Sequence, residues 1–232
     1  MGLADLHLHT IYSYDGTASV SAVLSHAKRI GLNVIAVTDH DVIAGALKAV
    51  ELAPNYGVEV IPGIEVTTAE GDLLALFIKE KVDAGLSLLE TLFRVRELGG
   101  VCIAPHPMAN GMSMKSLSAN SILTALRNPE AAKTLIGVET YNATAIGRIG
   151  NRHALELANQ LNIAHVGGSD AHIVDTIGFG ATEFAGSSAT DLLTALKNSS
   201  TKIHKRKEWS ALRILGSWGV RYMRSAFARL MM

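Results

Sequence analysis

The sequence predicts a parallel α/β fold, either a barrel or an open sheet. Short apolar runs alternate with helix-length segments whose apolar residues recur about every 3.6 positions, and no internal repeat or low-complexity linker interrupts them. Metal-competent side chains recur at the C-terminal ends of the apolar runs, the edge where parallel sheets build their sites.

The expected strands are residues 3–7, 34–38, 58–61, 73–78, 101–104, 136–141 and 164–167. Most are short and apolar throughout, as strands covered on both faces are. The expected helices are 19–30, 43–56, 84–98, 117–127, 146–161 and 189–196. In the first of them Val20, Val23, Leu24, Ala27 and Ile30 share one side, and Gly31 supplies a stop.

The chain has 232 residues, 48% hydrophobic and 18% charged, too apolar for disorder and enough for one domain with a full core. Its single cysteine, Cys102, excludes an internal disulfide framework and fits a reducing, cytoplasmic setting; inside an apolar strand it reads as core. No uncharged apolar run reaches the length of a membrane span, and the first residues lack the pattern of a signal peptide. The formal net charge is zero but unevenly spread. Residues 202–232 hold eight Lys or Arg and one acid, net +7, which leaves −7 on residues 1–201. The chain therefore divides into a body, 1–200, and a basic amphipathic extension, 201–232.

The first strand ends in His7-Leu8-His9, with Asp15 in the following loop. The second ends in Thr38-Asp39-His40-Asp41, and the third runs into Gly63-Ile64-Glu65. The fifth ends in Pro105-His106-Pro107, the sixth carries Glu139 and ends at Asn142, and the seventh ends in Ser169-Asp170-Ala171-His172. Residues two apart on an extended chain face the same way, so His7 and His9 suit one cation, as do Asp170 and His172. Glu65 has two oxygens with which to bridge two cations. Imidazole with carboxylate suits Zn, Mn or Fe better than Ca or Mg. Any one of these residues is ordinary by itself, and Asp39 and Asp41 are equally suited to capping a helix. Five of the nine histidines at strand exits, beside three acids, form the informative coincidence; His26, His153, His165 and His204 lie elsewhere.

In order along the chain stand Asp5-Leu6-His7-Leu8-His9-Thr10, Thr38-Asp39-His40, Pro62-Gly63-Ile64-Glu65, Ala104-Pro105-His106-Pro107 and Gly168-Ser169-Asp170-Ala171-His172. Together these motifs resemble the PHP (polymerase and histidinol phosphatase) superfamily of metal-dependent phosphoesterases, over roughly residues 3–185. The resemblance implies a distorted seven-stranded (β/α)7 barrel with two or three divalent metal ions at its C-terminal mouth. It implies a first site of His7, His9, Glu65 and Asp170, and a third of Asp15, His40 and His172. The second is Glu65 with His106 and one further ligand, a His before a Leu-Leu pair in many relatives. This chain has Asp72 there, either a ligand of altered preference or a turn residue. Glu139 and Asn142 are expected to support the ligands or face the substrate.

The implied reaction is hydrolysis of a phosphate ester by metal-activated water. His172 and Asp39 are the candidates for handling protons, with Asp41 beside them, and Lys115, Arg148 and Arg152 for clamping the phosphate. The acidic body disfavours a long nucleic-acid track, so the expected substrate is a small phosphorylated metabolite, a nucleotide or a short oligonucleotide. The rival readings are an exonuclease on single-stranded RNA or DNA and an inactive metal-binding interaction module.

In the extension a helical wheel puts Trp209, Leu212, Val220, Met223, Phe227 and Leu230 on one face, and Arg213, Arg221 and Arg224 on another. The first expectation is that the apolar face closes the bottom or side of the barrel. The alternative is a peripheral contact with an anionic membrane or a partner protein, helped by Lys205-Arg206-Lys207 beside Trp209.

Overall fold

A computed structural model describes residues 1–109, 114–144, 147–206 and 209–229, with side chains to Met223 in the last segment. Among the described residues one curled sheet of nine strands carries the fold, in the order β7-β6-β5-β4-β3-β2-β1-β8-β9. The seven expected strands are β1 (Gly2–Asp5), β2 (Val34–Val37), β3 (Glu59–Thr67), β4 (Asp72–Leu76), β5 (Val101–Ala104), β6 (Leu135–Asn142) and β7 (Ala164–Gly168). Two more, β8 (Gly180–Phe184) and β9 (Lys202–Lys205), correct the expected count of seven. Both are short, and β9 reads Lys-Ile-His-Lys, an exposed edge with no run of apolar residues to announce it.

Adjacent strands are parallel at β1–β2–β3 and β5–β6–β7, whereas β4 runs antiparallel to both its neighbours. Residues 68–71 between β3 and β4 are too few for a crossover, so the chain must turn straight back. Gly71, at φ +150°, makes that turn; a Cβ there would stand 2.6 Å from the Leu117 amide nitrogen.

The sheet curls until β7 and β8 meet. Their seam is joined by the Thr182 hydroxyl, which accepts from the Gly167 N–H and donates to the Gly167 carbonyl, both at 3.0 Å. Glycine on both sides permits the approach: a Cβ on Gly167 would meet the Ala181 carbonyl oxygen at 2.4 Å, and one on Gly180 the Gly168 carbonyl oxygen at 2.3 Å. Replacing the hydroxyl by a methyl strands a buried N–H. Thr182→Val is expected to lower stability by about 1–3 kcal/mol, read from the shift of the denaturant midpoint at unchanged slope.

Strand alternation divides the apolar residues. Ala4, Leu6, Val34, Ala36, Ile61, Leu74, Leu76, Ile103 and Val166 fill the interior, together with Phe184. One end is plugged by α7 (Ala189–Lys197), which inserts Leu192, Ala195 and Leu196. That helix starts from a Ser188–Asp191 capping box, and the Ala189 N–H donates to Glu59 at the start of β3, so the plug lies at the N-terminal end of the parallel strands. Outside, α1 (Val20–Arg29) and α2 (Ala44–Leu52) cover one half of the sheet. The other half is covered by α3 (Leu88–Glu97), α4 (Ala119–Leu126), the single turn α5 (Pro129–Ala132) and α6 (Asn151–Ala158). Cys102 faces this outer layer, and burial pushes its thiol pKa up, as expected of a core position. With the N-terminal end plugged, the opposite mouth is left for the ionisable residues.

The extension departs from the first expectation. Its opening residues pair with β8 as β9, and α8 (Ala211–Arg229) follows. Trp209 packs against Phe179, yet Leu212, Val220 and Met223 are exposed, so the predicted apolar face does not close the barrel. Lys207 and Leu230 lie outside the described residues, as do the side chains of Arg224 and Phe227.

Candidate metal centre at the barrel mouth

The end of β1 is held by Asp5, whose carboxylate accepts from the Ser169 and Gly178 N–H groups at 3.0 and 2.8 Å. Burial pushes its pKa up to about 6 against those hydrogen bonds. Beyond it His7 and His9 face the mouth, while Leu8 packs into the outer core, the alternation the motif implied. The parallel bridges Leu8–Ala171 and His40–Glu65 extend the sheet just past the named strands. They bring four strand exits to one place. His106 and Asp170 sit at φ +28° and +50°, a costly backbone region for residues with side chains, which recurs at functional sites.

Glu65 is the hub. Its Oε2 lies 3.1 Å from His7 Nε2 and 3.3 Å from both His9 Nε2 and His40 Nδ1, and its Oε1 lies 3.0 Å from His106 Nε2. Asp170 Oδ1 lies 3.3 Å from His9 Nε2 and 3.5 Å from His7 Nε2. Asp15 Oδ2 lies 3.0 Å from His172 Nε2 and 3.4 Å from His40 Nε2. Burial opposes charge on Glu65, but the surrounding imidazoles outweigh it and hold the carboxyl well below the usual range. Asp170 is lowered for the same reason. The imidazoles of His7, His40, His106 and His172 are raised by the carboxylates despite their burial.

These donors form three overlapping groups: His7 with His9 and Asp170; His7 with Glu65 and His106; and His9 with Asp15, His40 and His172. Within each group the ligand atoms lie within 4.8 Å of one another. The donor set fits divalent cations. The His9 ring is buried with Nδ1 unpartnered, and its Nε2, though 3.3 Å from Glu65 and Asp170, makes no well-aligned hydrogen bond to either, an unfavourable state that coordination relieves. Tautomers agree as well. His172 Nδ1 points at the Asp170 carbonyl oxygen at 2.9 Å and so carries the hydrogen, leaving Nε2 directed at Asp15. His7 Nδ1 faces Glu139 Oε1 at 3.3 Å, leaving Nε2 directed at Glu65 and Asp170.

Eight of the nine metal candidates, His7, His9, Asp15, His40, Glu65, His106, Asp170 and His172, thus gather at the mouth. Asp72 is in none of the three groups. It lines an adjoining cleft of about 480 Å³ with Tyr14, His40, Asp41, Thr67 and Lys115. Its Oδ1 is buried without a partner, and burial with the Glu65 charge pushes its pKa up to about 6.

Other candidates are placed elsewhere. Asp39 is in none of the three groups: it accepts from the Thr10 N–H at 2.6 Å and the Thr10 hydroxyl at 2.8 Å, bracing the loop after His9. His172 stands among the donors. Glu139 and Asn142 contact the donor residues themselves. Glu139 accepts from the His106 N–H at 2.7 Å, and Asn142 Nδ2 donates to Glu139 at 2.9 Å and to Asp170 at 3.2 Å. Arg148 is not at the cluster: it donates to the carbonyls of Thr144 and Trp209. Arg152 is 81% exposed and pairs with Glu156. Of the expected phosphate clamps only Lys115 borders the cleft. Sequence reasoning missed Trp218, whose indole N–H donates to the Asp15 carbonyl at 2.9 Å. No spacing in a single chain links position 218 to position 15.

The PHP domain profile matches residues 5–201. An uncharacterised protein of Methanocaldococcus jannaschii is 36% identical over 162 residues, covering 66% of this chain and 88% of its own. The structure of PsfC from Pseudomonas syringae is 17% identical with a TM-score of 0.69, covering 96% of this chain and 98% of its own, a likeness of fold. Two matches at 42% identity cover only 28% of this chain. They are a 5'-3' exoribonuclease of Haemophilus influenzae, over 23% of its length, and a phosphoribosyl 1,2-cyclic phosphate 1,2-diphosphodiesterase of Eggerthella lenta, over 24%.

Proposed function

This chain belongs to the PHP domain family, and on that premise we propose that it is a metal-dependent phosphoesterase acting on a small phosphorylated metabolite, a nucleotide or a short oligonucleotide. The observation that carries the reading is Glu65 amid His7, His9, His40 and His106 at 3.0–3.3 Å, with Asp170 and Asp15 completing the donor set. Two or three divalent ions, Zn, Mn or Fe, bound there supply Lewis acidity and a nucleophile from water.

The chain's own residues do the rest. Glu139 and the Asp170 carbonyl fix the His7 and His172 rings so that Nε2 faces inward. Asn142 ties Asp170 to Glu139, which stiffens the constellation. Lys115 stands exposed at the cleft rim beside His40 and meets the substrate phosphate. Residues 1–200 are assigned to the hydrolase domain and 201–232 to the basic extension, which lends β9 to the domain's sheet. Lys115→Ala is expected to raise KM about tenfold at little change in kcat, because a rim charge binds substrate and transition state alike.

The reading is tested by loading the purified protein with Mn or Zn and offering a nucleoside bisphosphate beside single-stranded RNA. Phosphate release from the first, abolished by chelator and restored by metal, is the expected result. Progressive shortening of the RNA with no release from the nucleotide would establish an exonuclease instead. Bound metal with no turnover on either would establish a binding module.

A further inference from the structure

The helix α8 is fastened to the body by its polar and aromatic side. The Trp218 indole donates to the Asp15 carbonyl at 2.9 Å and stacks on Tyr222 at 4.8 Å between ring centres, and Arg221 pairs with Asp175. Its aliphatic side faces away: Leu212 is 84% exposed, Met223 70%, Leu215 59% and Val220 51%. Gly216 and Gly219 lie within the same arc at 100° per residue, and a Cβ on either would touch nothing within 4 Å. A helix that merely covers a core turns its aliphatic side inward, so this one presents an apolar face to something outside the body.

We propose that the occupant is an anionic membrane surface, on which α8 lies in the plane of the interface. No helix among the described residues is long and apolar enough to cross a membrane, which leaves the in-plane arrangement. Charge selects the surface. Arg206 is exposed shortly before the helix, Lys205 is exposed at the mouth end of β9 over the Tyr141 ring, Arg213 lies on the flank of the helix over the Trp209 ring, and residues 202–232 sum to +7 against −7 for the body. An anionic headgroup layer attracts this segment and repels the body, which fixes which side docks. The same charge disfavours a second copy of α8 as the occupant, since each helix would bring four arginines and no acid, +4, to the contact.

The anchor lies at the mouth end of the barrel. Trp218 holds the loop that bears Asp15, and the neighbouring Tyr12 and Tyr14 are 37% and 64% exposed. Arg148 donates to the Trp209 carbonyl, and the adjacent Ile149 is 61% exposed. Docking through α8 therefore brings the metal centre close to the headgroups, with aromatic rings beside it suited to that layer.

The test is co-flotation of the full-length protein with vesicles of phosphatidylglycerol in phosphatidylcholine and with vesicles of phosphatidylcholine alone. Binding to the first and not the second, weakened by added salt, is expected. Leu212→Asp with Met223→Asp is expected to cut vesicle affinity at least about tenfold while melting temperature and hydrolysis in solution stay unchanged. Failure to bind the anionic vesicles overturns the proposal, as does equal binding by the double variant. Dimerisation in solution that the same double variant abolishes also overturns it, with a second copy then identified as the occupant.

Discussion

Glu65→Gln is expected to abolish turnover, by roughly a thousandfold or more, and to strip metal from the purified protein while the far-ultraviolet dichroism stays native. Gln keeps the shape of the side chain, so the interior of the barrel gains no cavity. It removes the one charge that faces His7, His9, His40 and His106 together. If Glu65 holds the cations as proposed, its loss forfeits several kcal/mol of interaction with them and, through them, with the transition state, and each ~1.4 kcal/mol is a factor of ten in rate. Asp170 and Asp15 do not compensate, because Asp170 faces His7, His9 and His172, Asp15 faces His40 and His172, and neither pairs with His106. The check is elemental analysis beside the hydrolysis assay. A variant that retains metal and more than a tenth of the rate would show that Glu65 is not the hub.

The hub was legible in the sequence because strand exits and parallel pairing carry it. Once His7, His40, His106 and Asp170 stand just past the ends of β1, β2, β5 and β7, with Glu65 in the C-terminal half of β3, the shared direction of these five strands delivers them to one edge, and nothing about loop conformation is needed. What the sequence leaves open depends on orientation instead. Glu139 and Asn142 are three apart and would face opposite sides of a regular strand. Yet β6 shifts register against β7 between Glu139 and Tyr141, and the irregularity turns both side chains inward, where they meet at 2.9 Å. A one-residue bulge has no compositional signature. Arg148 was misplaced for a similar reason: a loop cation shows its charge in the sequence but not the carbonyl it is spent on, here that of Trp209, 61 residues away. For α8 the wheel separates an apolar side from a basic one, and of the described side chains Leu212, Val220 and Met223 share the exposed side. Periodicity gives two faces without saying which is inside, and the contacts of Trp218 and Arg221 reverse the expected choice. Strand β9 was invisible because a polar edge four residues long resembles a loop, and β8, Gly-Ala-Thr-Glu-Phe, is buried yet holds no run of branched apolar residues.

Gly168→Ala is expected to damage stability and activity together, which separates it from Glu65→Gln. Gly168 is the last residue of β7 and is buried between the closing seam and the ligand scaffold. A Cβ there would stand 2.0 Å from Glu139 Oε1 and 3.0 Å from His7 Cβ, so the Glu139 carboxylate must give way. That carboxylate orients His7 through Nδ1 and holds His106 through its N–H. Displacing it leaves the ligands present but loosely aimed, and loss of such support lowers metal affinity or activity about 10–100-fold. On the structural side the chain has no slack, since the Gly168 carbonyl accepts from the Ala143 N–H and lies against Gly180 across the seam. Overpacking at a site like this costs about 1–3 kcal/mol. The measurement is a denaturant titration beside a metal-dependence curve of the rate. A lower midpoint with the metal requirement shifted to higher concentration is the expected pair. Raising metal is expected to restore part of the rate here and none in Glu65→Gln, because Gly168→Ala leaves every ligand in place and weakens only the frame that aims them.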